Sequence, residues 1–352
     1  MAHLTDNFTS EALLSPAVRE AISAAFEQGW ADPKKQSQAS GRAAILAESA
    51  KAEIASALQT STDRIEVIGE PAMVHLIALQ GFTHGNLPLY TSTVDVGKIR
   101  AIARLSEDES HLIGVDENGA LLTSGIKFPK SSVLSLQATN GETGAVQKID
   151  AWRSSSVSVV VDATRSLPNR DLVAGFSATT FDATSWNGPQ GIGFININDS
   201  KNFKYPLPHI APIRVPGSYS LPLLVGSAIA LSEFIEKIES VKSLRGNLAK
   251  ALMKINGVTV LAVESGADSR YLSIVVDGIS SEEVLRRLLQ YDLAIDAGSA
   301  CSPEDLTPSH VIASMGYPTS GHLRFTLHPH HTDGDIAQAV ETFEKVLQEL
   351  RG

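Results

Sequence analysis

The sequence has a single cysteine, Cys301, among its 352 residues. No disulfide can close within the chain, so a reducing, cytoplasmic setting is the expectation. No apolar run approaches the roughly 20 residues that a membrane span needs. Positive charge is in the minority: 29 Lys and Arg stand against 39 Asp and Glu, a formal net charge of -10. That argues against a broad nucleic-acid-binding face and against an anionic-membrane surface. The opening residues, MAHLTDNFTSEALL, lack a basic stretch followed by an apolar core, so no secretory leader is expected. There is no internal repeat and no low-complexity tract. What is present is a chain 43% hydrophobic and 19% charged, ample for a large core and long enough for more than one domain.

The stretch 157–195 organises the rest. An apolar, β-branched run ends in an acid, Asp162, and a Gly-Pro turn at Gly188-Pro189 leads into a second apolar run. Short buried runs bounded by turn residues read as strands of a parallel sheet. Asp162 then sits at the carboxyl end of a strand, where open α/β sheets gather ligand groups. Residues 182–190 read as a loop facing the same crevice.

Along the chain, Ser15-Pro16 predicts a helix start, and the apolar spacing predicts a second helix over 40–58. A strand over 65–68 leads through Gly69-Glu70-Pro71 into a helix. Strands are expected over 89–93, 112–115 and 133–136, with a helix over 96–105. Such alternation argues for a mostly parallel sheet. A proline-rich loop (Pro206, Pro208, Pro212, Pro216) precedes an uninterrupted helical stretch over 221–255. The remainder predicts a compact β-β-α-β-α-β-α unit, with Cys301 in one of its loops. The expected division is a large α/β domain over 15–240 and a small α+β domain over 241–352, with 1–14 packed on the latter.

Gly298-Ser299-Ala300-Cys301-Ser302, followed by Pro308-Ser309-His310-Val311 and Leu323-Arg324-Phe325, resembles a cysteine desulfurase. Asp162-Ala163-Thr164, the segment 140–147 and Gly188-Pro189-Gln190-Gly191 extend the likeness over nearly the whole chain. Cysteine desulfurases are class V members of the pyridoxal-phosphate (PLP) enzymes of fold type I. The resemblance therefore implies a large domain with a mostly parallel, seven-stranded sheet and a smaller C-terminal α+β domain. It also implies a homodimer. By resemblance, Cys301 matches the cysteine that becomes a persulfide. Arg324 matches the arginine that holds the substrate carboxylate as a bidentate fork. Asp162 matches the acid that pairs with the pyridinium nitrogen and keeps the ring an electron sink. Asn140 lies where the family has an asparagine near the ring, and Ser218 near a hydroxyl that reaches the partner subunit's phosphate.

The departures concern the cofactor. Ser185 stands where the family carries its Schiff-base lysine, and no lysine lies between Lys148 and Lys201. A serine hydroxyl cannot form an imine. Val96 matches the ring-stacking histidine, and Arg165 the glutamine at the ring oxygen. The phosphate cup, a small-residue turn whose free N–H groups meet the anion, reads Gly69-Glu70-Pro71, with one N–H lost to proline. Asp182 adds a second negative charge nearby.

The expectation is accordingly a desulfurase-like pseudoenzyme with no bound cofactor, acting as partner, scaffold or sulfur-relay subunit beside a desulfurase or other sulfur-transfer protein. Two other readings stand beside it: a PLP enzyme that binds its cofactor non-covalently, and a binder of another small molecule in the remodelled crevice. Each residue also has a plainer reading. Asp162 would cap a turn, Cys301 would be a small core hydrophobe, and Arg324 a structural ion-pair arginine. Glu142 would be a solvated loop acid, and His322, His328, His330 and His331 a solvated loop rather than a metal site. Arg165 is expected to turn into the crevice and neutralise Asp162, Glu70 or Asp182.

Overall fold

The computed structural model describes residues 7–84, 87–105, 110–153, 156–209, 219–297 and 309–352. In chain order these form β1 (Asn7–Phe8), α1 (Pro16–Gln28), α2 (Gln38–Ala57), β2 (Ile65–Ile68), α3 (Met73–Phe82), β3 (Leu89–Ser92), α4 (Gly97–Arg104), β4 (Ser110–Ile113), β5 (Val133–Gln137) and β6 (Ser158–Asp162). There follow β7 (Ala178–Asp182), β8 (Gly193–Ile197), α5 (Leu221–Ile235), α6 (Ile238–Leu252), β9 (Val258–Val260), β10 (Tyr271–Val276), α7 (Ser281–Leu288), β11 (Ala294–Ala297), α8 (His310–Ser314), β12 (His322–Thr326) and α9 (Asp333–Arg351).

Seven strands make the larger sheet, in the order β2-β8-β7-β6-β5-β3-β4. Strands β3 to β7 run parallel, and β8 is antiparallel to both its neighbours. Val159, Val160 and Val161 of β6 are buried, which is why this strand is a continuous apolar run rather than an alternating one. Strand β7 is absent from the expectations above, which left residues 178–182 outside any strand. Its Thr179 and Thr180 are buried, with hydroxyls donating to the Leu172 carbonyl at 2.6 Å and the Val161 carbonyl at 3.4 Å. Once its hydroxyl is satisfied, threonine behaves as a β-branched core residue.

The smaller sheet has the order β1-β11-β12-β10-β9, and only the β1–β11 pair is parallel. Phe8 of β1 is buried against Phe325 and the His331 ring. The predicted helix over 221–255 is two helices, with a break at Glu236-Lys237. No proline or glycine marks that break. Helix α5 packs under α1 and α2, whereas α6 packs on β9, β10 and α9. The bend lets each helix bury its own face against a different layer.

Candidate functional site

Asp162 closes β6 with its carboxylate 3% exposed. Oδ1 accepts from the Thr164 N–H at 3.0 Å and the Thr164 hydroxyl at 2.6 Å, so the turn is capped. The Nε2 of His75, on α3, lies 3.1 Å from the same oxygen. It stands outside hydrogen-bond alignment, so the contact is electrostatic. Burial alone would raise the Asp162 pKa; the His75 imidazole and the Thr164 donors outweigh it and hold it at about 2. Oδ2 is buried and has no partner among the described residues. Nearby, Asp95 is fully buried. Its Oδ2 accepts from the Ser92 N–H at 2.7 Å, its Oδ1 has no partner among the described residues, and burial pushes its pKa up to about 8.

At the end of β7 the chain turns through Ala183–Trp186. Ser185 is 0% exposed, and its hydroxyl donates to the Asp182 carbonyl at 2.8 Å. The Asp182 carboxylate caps the turn through the Thr184 N–H and hydroxyl. Trp186 pins the turn to α5 by donating from Nε1 to the Ser227 carbonyl at 3.2 Å. Asn187 closes it in the left-handed region at φ 58, a conformation asparagine tolerates. Glu70 does not face this turn in an ion pair; its Oε1 accepts from the Ala72 N–H at 3.0 Å and caps its own loop. Val96 precedes α4 and packs on the apolar cluster of α3 and α4.

Asn140 organises the loop after β5. Its Oδ1 accepts from Glu142 N–H, Thr143 N–H and the Thr143 hydroxyl, and its Nδ2 donates to the Val94 carbonyl and Gln137 Oε1. Two glycines in this loop allow close approach. A Cβ at Gly141 would lie 2.7 Å from Cγ of Arg165, and one at Gly144 (φ 77) would lie 2.4 Å from the Tyr271 carbonyl oxygen. The stem of Arg165 therefore lies across Gly141. From the other sheet, Arg324 donates to the Gly141 carbonyl at 2.7 Å and pairs with Asp296. Both guanidiniums border Tyr271.

The phenol of Tyr271 would be raised by burial; the positive charges of Arg270, Arg165 and Arg324 outweigh burial and lower its pKa. The Arg165 pKa is raised, first by Tyr271 and then, against burial, by Asp182 and Asp162. Of the acids expected to neutralise Arg165, Glu70 is not among its partners.

Arg165 and Arg324 thus meet at Gly141, whereas Asn140 and Ser185 direct their side chains at their own loops. Cys301 and Ser218 lie outside the described residues. Glu142, His322, His328 and His331 differ from their expected solvation, whereas His330 is exposed. Glu142 is half-buried 3.6 Å from the His322 Nδ1, and burial raises its pKa. His322, His328 and His331 are buried because β1 and the strand pair β10–β12 cover them. Among the described residues no group of three His, Cys, Asp or Glu side chains is placed to hold a metal ion, and no helix is long and apolar enough to cross a membrane.

Sequence reasoning missed His75, Asp95 and the Arg270-Tyr271 pair. His75 did leave a signal: it is the one ionisable residue in the otherwise apolar segment MVHLIALQGF. Arg270 and Tyr271 left none, because an arginine and a tyrosine at a strand start are ordinary.

Comparison with known proteins agrees with this geometry. The aminotransferase class-V family model matches residues 221–339. A cysteine desulfurase of Gluconacetobacter diazotrophicus is 23% identical over 76% of this chain and 73% of that protein. A cysteine desulfurase of Clostridium botulinum is 22% identical over 98% of this chain and 94% of its own length. Among solved structures, a NifS-like protein from Rickettsia africae superimposes with a TM-score of 0.81 at 18% identity, covering 97% of this chain and 99% of that one. An apo cysteine desulfurase from Thermococcus onnurineus gives a TM-score of 0.81 at 15% identity, covering 97% and 94%. The fold is that of the fold-type I PLP enzymes. In sequence the chain is similar to cysteine desulfurases, and its C-terminal part matches the aminotransferase class-V family.

This likeness corrects the expectation that no cofactor belongs here. The relatives are cysteine desulfurases and NifS-like proteins, a PLP-dependent family, so PLP is the cofactor the family implies. One atom of this structure fits it: the unpartnered, buried Oδ2 of Asp162, an acceptor awaiting a donor. Asp162 would face the pyridine nitrogen, Arg165 the ring's oxygen side, and the start of α3 the phosphate. When bound, PLP supplies an electron sink. Ser185 offers no amine for its covalent attachment.

Proposed function

We propose that this chain is a desulfurase-family protein without self-sufficient turnover, acting as a partner, scaffold or sulfur-relay subunit in sulfur transfer. The observation that carries the reading is the turn at Ser185. The side chain there is buried and its hydroxyl is committed to the Asp182 carbonyl. No lysine from 149 to 200 brings an amine to it. Covalent and proton-transfer work that needs a basic nitrogen at that point is therefore unavailable to the chain's own residues.

In the relay role, the Cys301 thiolate attacks the terminal sulfur of a donor protein's persulfide. A new S–S bond forms on Cys301, the donor's S–S bond breaks, and the donor thiolate leaves. No external oxidant is consumed. We also place the protein in the cytoplasm as a homodimer; light scattering that finds a monomer at micromolar concentration would remove the dimer.

The test supplies purified protein with PLP and L-cysteine and measures sulfide and alanine. No turnover is expected. A second arm adds an active desulfurase and looks for a sulfur-mass adduct on Cys301. Turnover that Cys301→Ala abolishes would overturn the reading. Failure to label Cys301 where a known acceptor is labelled would remove the relay role and leave the partner role.

A second reading, a desulfurase or lyase that holds PLP non-covalently, is favoured by the unpartnered Oδ2 of Asp162. A stoichiometric visible band that survives dialysis, together with turnover, would establish it in place of the first.

A further inference from the structure

Glu142, His322 and Ser273 stand in line where the two sheets meet. Glu142 comes from the loop after β5, His322 from β12 and Ser273 from β10. Ser273 is 0% exposed and His322 2%. The Ser273 hydroxyl is hydrogen-bonded to His322 Nε2. On the other side of the ring, His322 Nδ1 faces Glu142 Oε1 at 3.6 Å. Both of those atoms are buried, and neither has a hydrogen-bond partner among the described residues.

The protons along this line follow from what each group can donate. The Ser273 hydroxyl also reaches the Leu323 carbonyl at 3.4 Å. A carbonyl only accepts, so the hydroxyl proton points to Leu323. The Ser273 oxygen then accepts, and the proton between serine and histidine belongs to His322 Nε2. Burial and the charge of Arg324 keep this ring neutral. A neutral imidazole carries one N–H, so Nδ1 is a bare lone pair. Two bare acceptors buried face to face are costly. An ionised Glu142 accepting from Nδ1–H would contract the contact to about 2.7–2.9 Å, and the pair stands at 3.6 Å. The arrangement that remains puts a proton on Glu142.

The surroundings agree. Arg324 on β12, with His310 and the Ser309 hydroxyl at the start of α8, favours the carboxylate, but burial is the larger effect. Arg324 is already held by Asp296 and the Gly141 carbonyl, and His310 by the Asp95 carbonyl. The Glu142 side chain stays 18% exposed, which gives its proton a path to water.

We propose that Glu142, His322 and Ser273 form a proton-operated switch between the two sheets, with Glu142 a carboxylic acid at neutral pH. When Glu142 ionises, the network loses one proton to water. The single N–H of His322 then sits on Nδ1 and donates to the carboxylate. The Ser273 hydroxyl turns from Leu323 to donate to Nε2. The switch does not depend on whether the chain turns over cysteine.

The experiment is NMR of the full-length protein, labelled with carbon-13 in glutamate side chains and nitrogen-15 in histidine rings, between about pH 5 and about pH 9. Glu142→Gln and His322→Gln assign the signals. Glu142 is expected to keep its proton at neutral pH with His322 in the Nε2–H form, and both signals should change at one midpoint. Ser273→Ala removes the acceptor of Nε2–H and should lower that midpoint by about one pH unit, roughly tenfold in proton affinity. Glu142→Gln should hold the ring in the Nε2–H form throughout, while the exposed Glu282→Gln leaves both titrations in place. An ionised Glu142 or an Nδ1–H ring at neutral pH overturns the proposal. So do separate midpoints for the two residues, or a midpoint that Ser273→Ala leaves unmoved.

Discussion

The imidazole of His75 stands 3.1 Å from the carboxylate of Asp162, one on α3 and the other at the end of β6. The contact joins α3 to the carboxyl end of β6. That contact and the Thr164 donors outweigh burial and hold the Asp162 pKa at about 2, below the ordinary 3.8.

His75→Ala should therefore lower stability at neutral pH by about 1–3 kcal/mol, the range for stripping a partner from a buried charged group. The sign is fixed by linkage. A carboxyl depressed in the folded state contributes stability above its unfolded pKa and loses it as pH falls through the folded value. In the variant, the loss between pH 3.8 and about 2 should shrink. Urea unfolding across that range checks it; an unchanged acid limb would show that His75 does not set the Asp162 charge.

Asp95 runs the opposite way. Burial pushes its carboxyl up to about 8, so the folded protein keeps a proton that the unfolded chain releases. Stability from this group falls as pH rises from about 4 to about 8, by at most about 1.4 kcal/mol per pH unit. Asp95→Asn should remove that slope, leaving the variant close to the parent at pH 4 and more stable at pH 8. Equal slopes in thermal melts of the two proteins would mean the carboxyl is ionised.

Acid should also act through two buried histidines. Burial, with the charge of Arg324, lowers His322 to about 3, and burial with Arg270 holds His328 well below 6.5. A histidine kept neutral in the fold contributes stability above pH 6.5 that is lost as pH falls toward the folded value. Each adds up to about 1.4 kcal/mol per pH unit to the acid slope. The slope between pH 6 and 4 should flatten in His322→Gln and in His328→Asn, measured by denaturant midpoints at constant m.

Trp186 anchors the Ser185 turn through the Ser227 carbonyl and stacks on Phe194 at 5.8 Å. Trp186→Ala should cost about 3–5 kcal/mol by cavity formation. Trp186→Phe, which keeps much of the volume but leaves the carbonyl without its donor, should cost less. A midpoint within error of the parent for the alanine variant would place the turn outside the cooperative core.

Much of the fold was legible because its signals are local. Val159 to Val161 of β6 announce a doubly buried strand, and Ser15-Pro16 announces the start of α1. Strand β7 was not legible because its threonines look polar until Leu172 and Val161 supply acceptors. The break at Glu236-Lys237 was hidden because two packing layers cause it, not a breaker residue. In the crevice, the motif residues could be located from the sequence, but their contacts could not. Nothing in the order of residues shows that Asn140 turns back on its own loop or that Arg165, Arg270 and Arg324 border Tyr271.

Strand β8 lies antiparallel to β7 and β2, so the segment 183–192 joins β7 to β8 without the crossover that parallel strands require. A short connection closes at little entropic cost, and pairs close in sequence form fast. The hairpin bearing Ser185 can therefore assemble from its immediate neighbours while the parallel strands are still seeking theirs. Ser185 sits in a self-templating segment. The side chain at 185 can be exchanged while the order in which the rest of the sheet comes together stays the same.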